Sequence, residues 1–184
     1  LPQISAQARE SGEKRAVGVC LYNLANSYDL AGDFETAREL WEQGLNIFRA
    51  EGDQTHIAWG LEGLAGIAYL MKDYARALAF DLESLKFKVD VMDKLGIAYS
   101  FEALAQIAAA QEEPERAAVL WGAADRLREA MNVPIESSRE DIYISLIPIT
   151  RAQIGDEVFG KAWSKGKAMS LKEAIEFALA LTPD

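Results

Sequence analysis

One cysteine, one histidine and five prolines are all that 184 residues contain of those three types. A lone Cys20 cannot close an internal disulfide. With His56 as the single histidine, the chain lacks the Cys and His partners that a zinc site needs. Positive charge is scarce as well: 19 Lys and Arg stand against 29 Asp and Glu, a net charge of −10. Phosphate contact demands clustered cations, so this balance argues against a DNA or RNA partner. The local group Lys161, Lys165 and Lys167 reads as a solvated helix face. Long apolar runs are missing too: no stretch reaches the roughly eighteen residues of a membrane helix, and no basic–apolar–small signal pattern opens the chain. A reducing cytoplasm is the compartment these absences suit. The chain starts at Leu1 without a methionine, which suits a piece of something longer.

What is present is a folded-protein composition, half apolar and about a quarter charged, laid out as a repeat. Leu21, Leu24, Ala25 and Tyr28 run into Asp33, Phe34, Ala37, Leu40 and Trp41. Forty residues on, Leu61, Leu64, Ala65 and Ala68 run into Asp73, Tyr74, Ala77 and Phe80. A further forty brings Phe101, Leu104, Ala105 and Ala108, then Glu113, Pro114, Ala117, Leu120 and Trp121. The register holds without a gap. Within each copy the apolar positions step by three and four, the spacing of one helix face. Turn signals divide each copy into two helices: Ala31-Gly32-Asp33, Met71-Lys72-Asp73 and Gln111-Glu112-Glu113-Pro114 within copies, Glu51-Gly52-Asp53 and Met92-Asp93 between them. Gly32 supplies a positive φ, Asp33 and Asp73 can cap the helices that follow, and Pro114 suits a first helical turn. The alanines at 25, 65, 105, 37, 77 and 117 let paired helices approach, while Phe34, Tyr74, Leu40, Phe80 and Leu120 fill the layer between copies. One hairpin cannot cover its own apolar face, so neighbours must stack.

These residues resemble the tetratricopeptide pattern W-x2-L-G-x2-Y…A-x3-F…P, with Leu24-Ala25 at its Leu-Gly, Tyr28 at its Tyr, and Ala37 and Trp41 at its Ala and Phe. The period of forty departs from the family's thirty-four and lengthens the helices. Ala68 and Ala108 replace the Tyr, and Asp81 stands where Trp41 stands in the first copy. Armadillo or HEAT-type stacking is the rival at this period. The resemblance implies an all-α superhelix of tetratricopeptide-like hairpins: residues 1–12 end a preceding helix or linker, 13–131 form three hairpins, and 132–184 form C-terminal capping helices. In that last part Ser137 with Glu140 and Ser170 with Glu173 read as capping boxes. The run from Glu113 to Ala178, with Leu120-Trp-Gly-Ala-Ala-Asp125, Phe159-Gly-Lys-Ala-Trp163 and Ser170-Leu, is similar to the C-terminal tetratricopeptide region of bacterial LuxR-type regulators and signal-transducing ATPases. It implies a sensor or docking arm whose partner is a protein, a peptide or another domain of the parent regulator.

No catalytic set emerges. Gly155-Asp-Glu-Val-Phe-Gly160-Lys161-Ala162 nearly spells a phosphate-binding loop, but Ala162 lacks the hydroxyl, Asp156 and Glu157 repel phosphate, and no strand precedes it. A helix start explains it better. Gly60, Gly63 and Gly66 read as close helix packing in preference to a ligand-hugging surface. Cys20 and His56 fall in different copies with no evident orienting partner. No cofactor is expected.

The tetratricopeptide resemblance places the first helix of each pair along an inner groove. Carried over residue by residue, its groove positions are Tyr22, Asn26 and Asp29; Trp59, Glu62 and Tyr69; and Tyr99, Glu102 and Gln106. Aromatics beside hydrogen-bonding groups suit a binding groove, although Trp59 and Tyr99 can equally pack beneath the longer helices. On this reading Glu102→Ala leaves stability nearly unchanged. The groove takes a peptide or sister domain; a small-molecule effector site is the alternative. An exposed N-terminal end, Leu1 to Glu13, is a candidate for homodimer contact.

Overall fold

The computed structural model describes the backbone of residues 2–134 and 137–181, with side chains for 10–134 and 145–181. Among the described residues there are nine helices and no strand. Paired helices come first: α1 (Pro2–Leu30) with α2 (Phe34–Glu51), α3 (Gln54–Leu70) with α4 (Tyr74–Asp90), and α5 (Lys94–Ala110) with α6 (Pro114–Met131). Then follow α7 (Ser137–Ile154), α8 (Asp156–Ala168) and α9 (Leu171–Leu179). The chain forms two compact units, Leu1–Val91 and Met92–Asp184. The division falls in the turn before the third hairpin, so that hairpin shares a unit with the three last helices. Beyond residue 131, α8 packs extensively against α6. Helix α1 runs unbroken from Pro2 through residue 12 to Leu30.

The period of forty is written into the turns. One or two residues past each helix end the chain takes a left-handed conformation, at Gly32, Lys72 and Glu112 within hairpins and at Gly52, Met92 and Asn132 between them. The next amide then reaches back to close the helix end, as Asp33 N–H does to the Tyr28 carbonyl (2.9 Å), Asp73 to Ala68 (2.8 Å) and Glu113 to Ala108 (2.9 Å). Asp33, Asp53, Asp73 and Asp93 then cap the following helix by accepting from the amides of Thr36, His56, Arg76 and Gly96. Lys72 adopts its φ of 64° without the freedom of glycine. Lys72→Gly is therefore expected to raise stability by about 1 kcal/mol, which chemical denaturation would register as a later midpoint at unchanged slope.

In the N-terminal unit the core is built from Tyr22 and Ala25 of α1, Ala37, Trp41, Leu45 and Phe48 of α2, and Ile57, Leu61, Leu64 and Ile67 of α3. Small residues set the approach of helices. The predicted alanines at 25, 65, 105, 37, 77 and 117 are all buried. A second set crosses the hairpins one period apart: Gly18 with Gly44, Ala58 with Ser84, and Ala98 with Ala124, again all buried. A Cβ on Gly44 would stand 3.3 Å from the Gly18 carbonyl, and Ser84 Oγ donates to the Ala58 carbonyl at 2.9 Å. Gly60 and Gly63 are packing glycines as expected, since a Cβ would strike the Tyr22 hydroxyl at 2.0 Å and the Trp41 ring at 2.4 Å; Gly66 meets nothing.

In the C-terminal unit α6 and α8 touch backbone to backbone. A Cβ on Gly122 would lie 2.2 Å from the Trp163 carbonyl oxygen, and one on Gly166 would lie 1.9 Å from that of Val119. Lys167 of α8 reaches across to Asp125 (3.0 Å) and Glu129 (2.6 Å) of α6. Helix α8 starts at Asp156 directly after Gly155, as the helix-start reading of the false phosphate loop expects. The Ser170–Glu173 capping box is formed at the head of α9. The Ser137–Glu140 box lies outside the described side chains.

Candidate functional site

Each first helix turns three sides to its surroundings, and the repeat fixes which residue goes where. Positions 22, 62 and 102 are one period apart, and so are positions 48, 88 and 128 in the second helices. In hairpin one these are Tyr22 and Phe48, with ring centroids 5.1 Å apart. In hairpin two they are Glu62 and Lys88, paired at 2.9 Å. In hairpin three they are Glu102 and Arg128, joined by two hydrogen bonds, Nε to Oε1 at 2.5 Å and Nη2 to Oε2 at 3.2 Å. One position therefore holds an aromatic contact once and an ion pair twice.

This corrects two of the expected groove residues. Tyr22 is buried among Gly44, Gly60 and Trp41, and its hydroxyl donates to the His56 carbonyl at 2.9 Å, tying α1 to α3. Burial pushes its phenol well above the ordinary range. Glu102 is only 1 % exposed. Both point toward the paired helix, Tyr22 onto Trp41 and Phe48 of α2 and Glu102 onto Arg128 of α6. Glu62 is half-buried on Lys88, and Tyr99 lies half-buried with the Arg128 guanidinium 5.0 Å from its ring centre. Arg128 Nη1 also donates to the Pro134 carbonyl at 3.2 Å, fixing the chain beyond α6. These groups hold the hairpins together.

The remaining positions stay accessible. Asn26 is exposed on α1, and Asp29 is half-buried, with burial raising its carboxyl above the usual range. Trp59 on α3 is 48 % exposed, with the His56 ring edge-on at 4.9 Å. His56 in turn stacks on Phe48 at 4.3 Å, and its Nδ1 lies 2.9 Å from Asp53 Oδ2. Burial would raise the Asp53 carboxyl, but hydrogen bonds from His56 and the charge of Arg15 outweigh it and hold it low. Tyr69 is half-buried against Tyr74, with centroids 5.6 Å apart, and Gln106 is half-buried on α5. Gly66, one period after Asn26, leaves open space beside α3. The N-terminal unit thus carries an accessible patch of Asn26, Trp59, Gly66 and Tyr69 on its first helices.

Two pockets are lined by other residues. One of about 420 Å³ is lined by Leu64, Ile67, Phe80, Arg38 and Arg76 among others, in the N-terminal unit. Another of about 400 Å³ sits between α6, α8 and α9 over Val119, Val158 and Phe177, with Lys165 at its edge. Neither is lined by Trp59 or Tyr99. Sequence reading missed the 22/48, 62/88 and 102/128 pairs, although their signal was present as residues of matched chemistry one period apart in both helices.

The family model of the tetratricopeptide repeat matches residues 19–88. That segment runs from within α1 to within α4 and supports assigning the hairpins to the tetratricopeptide type. The fold is an all-α set of tetratricopeptide-like hairpins with further helices after them. Repeats of this kind generally mediate protein–protein interaction. No curated protein and no solved structure matches the chain. No helix among the described residues is long and apolar enough to cross a membrane.

Proposed function

We propose that this chain is a protein-interaction module that holds an extended peptide or a segment of a sister domain against the first helices of its N-terminal unit. The exposed Trp59 carries the reading. A tryptophan with 48 % of its surface free, braced by His56, is the residue type that dominates binding energy at interfaces. The bare Gly66 gives room for a ligand backbone, and Asn26 offers a donor and an acceptor. The resemblance of Glu113 to Ala178 to regulator C-terminal regions supports the wider reading of a docking arm in a bacterial signalling or transcriptional regulator. The single cysteine supports a cytoplasmic setting.

Peptides selected from a random display library on the immobilised chain test this. Trp59→Ala is expected to weaken the selected peptides at least about tenfold and to leave the unfolding midpoint within experimental scatter, while Met71→Ala, on the turn after α3, binds as wild type. Undiminished binding by Trp59→Ala would remove this patch as the working surface.

A further inference from the structure

Contacts within the N-terminal unit fix the levels at which α1 and α3 meet. Gly18 and Gly44 lie against Phe48 and Tyr22, and Gly63 against Trp41, so both first helices run antiparallel to α2 and parallel to each other. Tyr22 bonds to the His56 carbonyl and lies against Gly60. Seven residues beyond Tyr22, Asp29 therefore stands level with residues 63–67 of α3. Gly66 is exposed at that level, with no atom within 4 Å of where its Cβ would be. Tyr69 follows one turn beyond Gly66 on the same side of α3, and Trp59 precedes it by two turns. All three positions stay accessible although α1 and α2 already pack beside α3. The ring contact of Tyr69 is with Tyr74 of its own hairpin. The openness of this face thus belongs to the repeat itself.

Charge on this face is sparse and of one sign. Between Ala16 and Leu30 on α1, and throughout α3, there is no Lys or Arg, and the acids are Asp29 and Glu62. Glu62 is balanced by Lys88 at 2.9 Å. Asp29 has no ion-pair partner among the described residues, and its Oδ1 is closed off from solvent without a hydrogen bond. The charged groups nearby are engaged otherwise. Lys14 pairs with Glu10, Arg15 and His56 with Asp53, Arg38 with Glu35 and Arg76 with Asp73, while Asp33 accepts from Thr36. Lys72 is exposed on the turn after α3. Burial raises the Asp29 carboxyl above its usual range, as it does for an anion short of stabilising neighbours.

We infer that the peptide held by this face carries a Lys or Arg side chain, whose charge seats against Asp29 through the gap at Gly66. This partner chemistry rests on the peptide-binding reading and narrows it. A cation beside a half-buried carboxylate replaces the stabilisation lost with its water, and a chain of net charge −10 draws such a ligand in. Tyr69 and Trp59, on either side of the gap, offer aromatic faces to the methylene stem and to the cation. An acidic side chain would meet Asp29 with no Lys or Arg on these helices to receive it. From Trp59 to Gly66 the helix rises about 10 Å, which an extended peptide crosses in about three residues. The cation is therefore expected about three positions from the residue seated on Trp59.

A random dodecapeptide display library panned on wild type, Asp29→Asn and Trp59→Ala tests this. Asparagine keeps the shape of aspartate without its charge, so Asp29→Asn is expected to unfold at the wild-type midpoint or later. Peptides that depend on Trp59 are expected to show one position enriched in Lys and Arg over the unselected library, and to lose that enrichment on Asp29→Asn. Glu39→Gln removes the same single charge from an exposed position on α2 and is expected to select as wild type does. In the strongest peptide, replacing the Lys or Arg by Met is expected to weaken binding to wild type about fivefold, the upper end for an ion pair open to water. The same replacement is expected to change nothing on Asp29→Asn. Trp59-dependent peptides without a cationic position overturn the inference and leave the peptide-binding reading standing, as does a cationic preference that survives Asp29→Asn. Peptides indifferent to Trp59→Ala remove that reading, and the basic partner with it. Should Asp29→Asn fail to fold, the Met replacement on wild type still decides: undiminished binding overturns the inference.

Discussion

Glu102→Ala is expected to destabilise the C-terminal unit by about 3–5 kcal/mol, because it strands a buried guanidinium. Arg128 is 3 % exposed and would lose the carboxylate that accepts two of its hydrogen bonds. Thermal or urea unfolding followed by circular dichroism reads this directly. Groove exposure at position 102 predicts almost no loss, so the experiment separates the two placements cleanly. The repeat supplies a sharper companion. Hairpin one fills the same two positions with Tyr22 and Phe48, so the double change Glu102→Tyr with Arg128→Phe is expected to recover much of the loss. Buried ion pairs are often replaceable by apolar groups of similar volume, whereas half a pair is not. A double variant no better than Glu102→Ala would mean that the ion pair has a role its aromatic counterpart cannot fill.

Gly166→Ala is expected to cost about 3 kcal/mol, the upper end of ordinary overpacking, even though alanine favours helix. The added carbon would stand 1.9 Å from a backbone oxygen of α6, and backbone cannot swing aside as a side chain can. Helix α8 would have to withdraw from α6, opening the contact that Lys167 makes with Asp125 and Glu129. Gly160→Ala is the control within the same helix. Nothing lies within 4 Å of its Cβ position, so it should stabilise by about 0.5–1 kcal/mol. Opposite signs for two glycine-to-alanine changes six residues apart would establish the close crossing. Equal signs would place α8 farther from α6.

Much of the fold was legible because a repeat multiplies weak local signals. No single Ala, Asp or Gly identifies a hairpin, but Ala25, Ala65 and Ala105 at one spacing do, and so do Asp33 and Asp73 before helical runs. The glycines at 60 and 63 were correctly read as packing residues. The left-handed turns at Lys72, Met92, Glu112 and Asn132 were less visible. Lys, Met and Glu do not announce a positive φ as glycine or asparagine does; it is imposed by the helix-ending hydrogen bonds closing around them. The close packing of the helices beyond residue 131 was hidden for a similar reason. Asn132-Val133-Pro134 breaks the local pattern, yet the glycines of α6 and α8 knit the chain together across that break.

The sequence by itself determined the helices, their caps, the forty-residue period and the acidic, cysteine-poor character of the chain, because each depends on neighbours within a few residues or on composition. Only the tertiary structure decided which side of each first helix is covered. Tyr22 and Glu102 sit at positions that helical periodicity alone leaves between buried and exposed, and the approach of the paired helix tipped both inward. Trp59 stayed open one period before Tyr99, and Leu24 stayed bare one period before the sealed Leu64. Burial is a property of what packs alongside a helix, and that is set by residues tens of positions away.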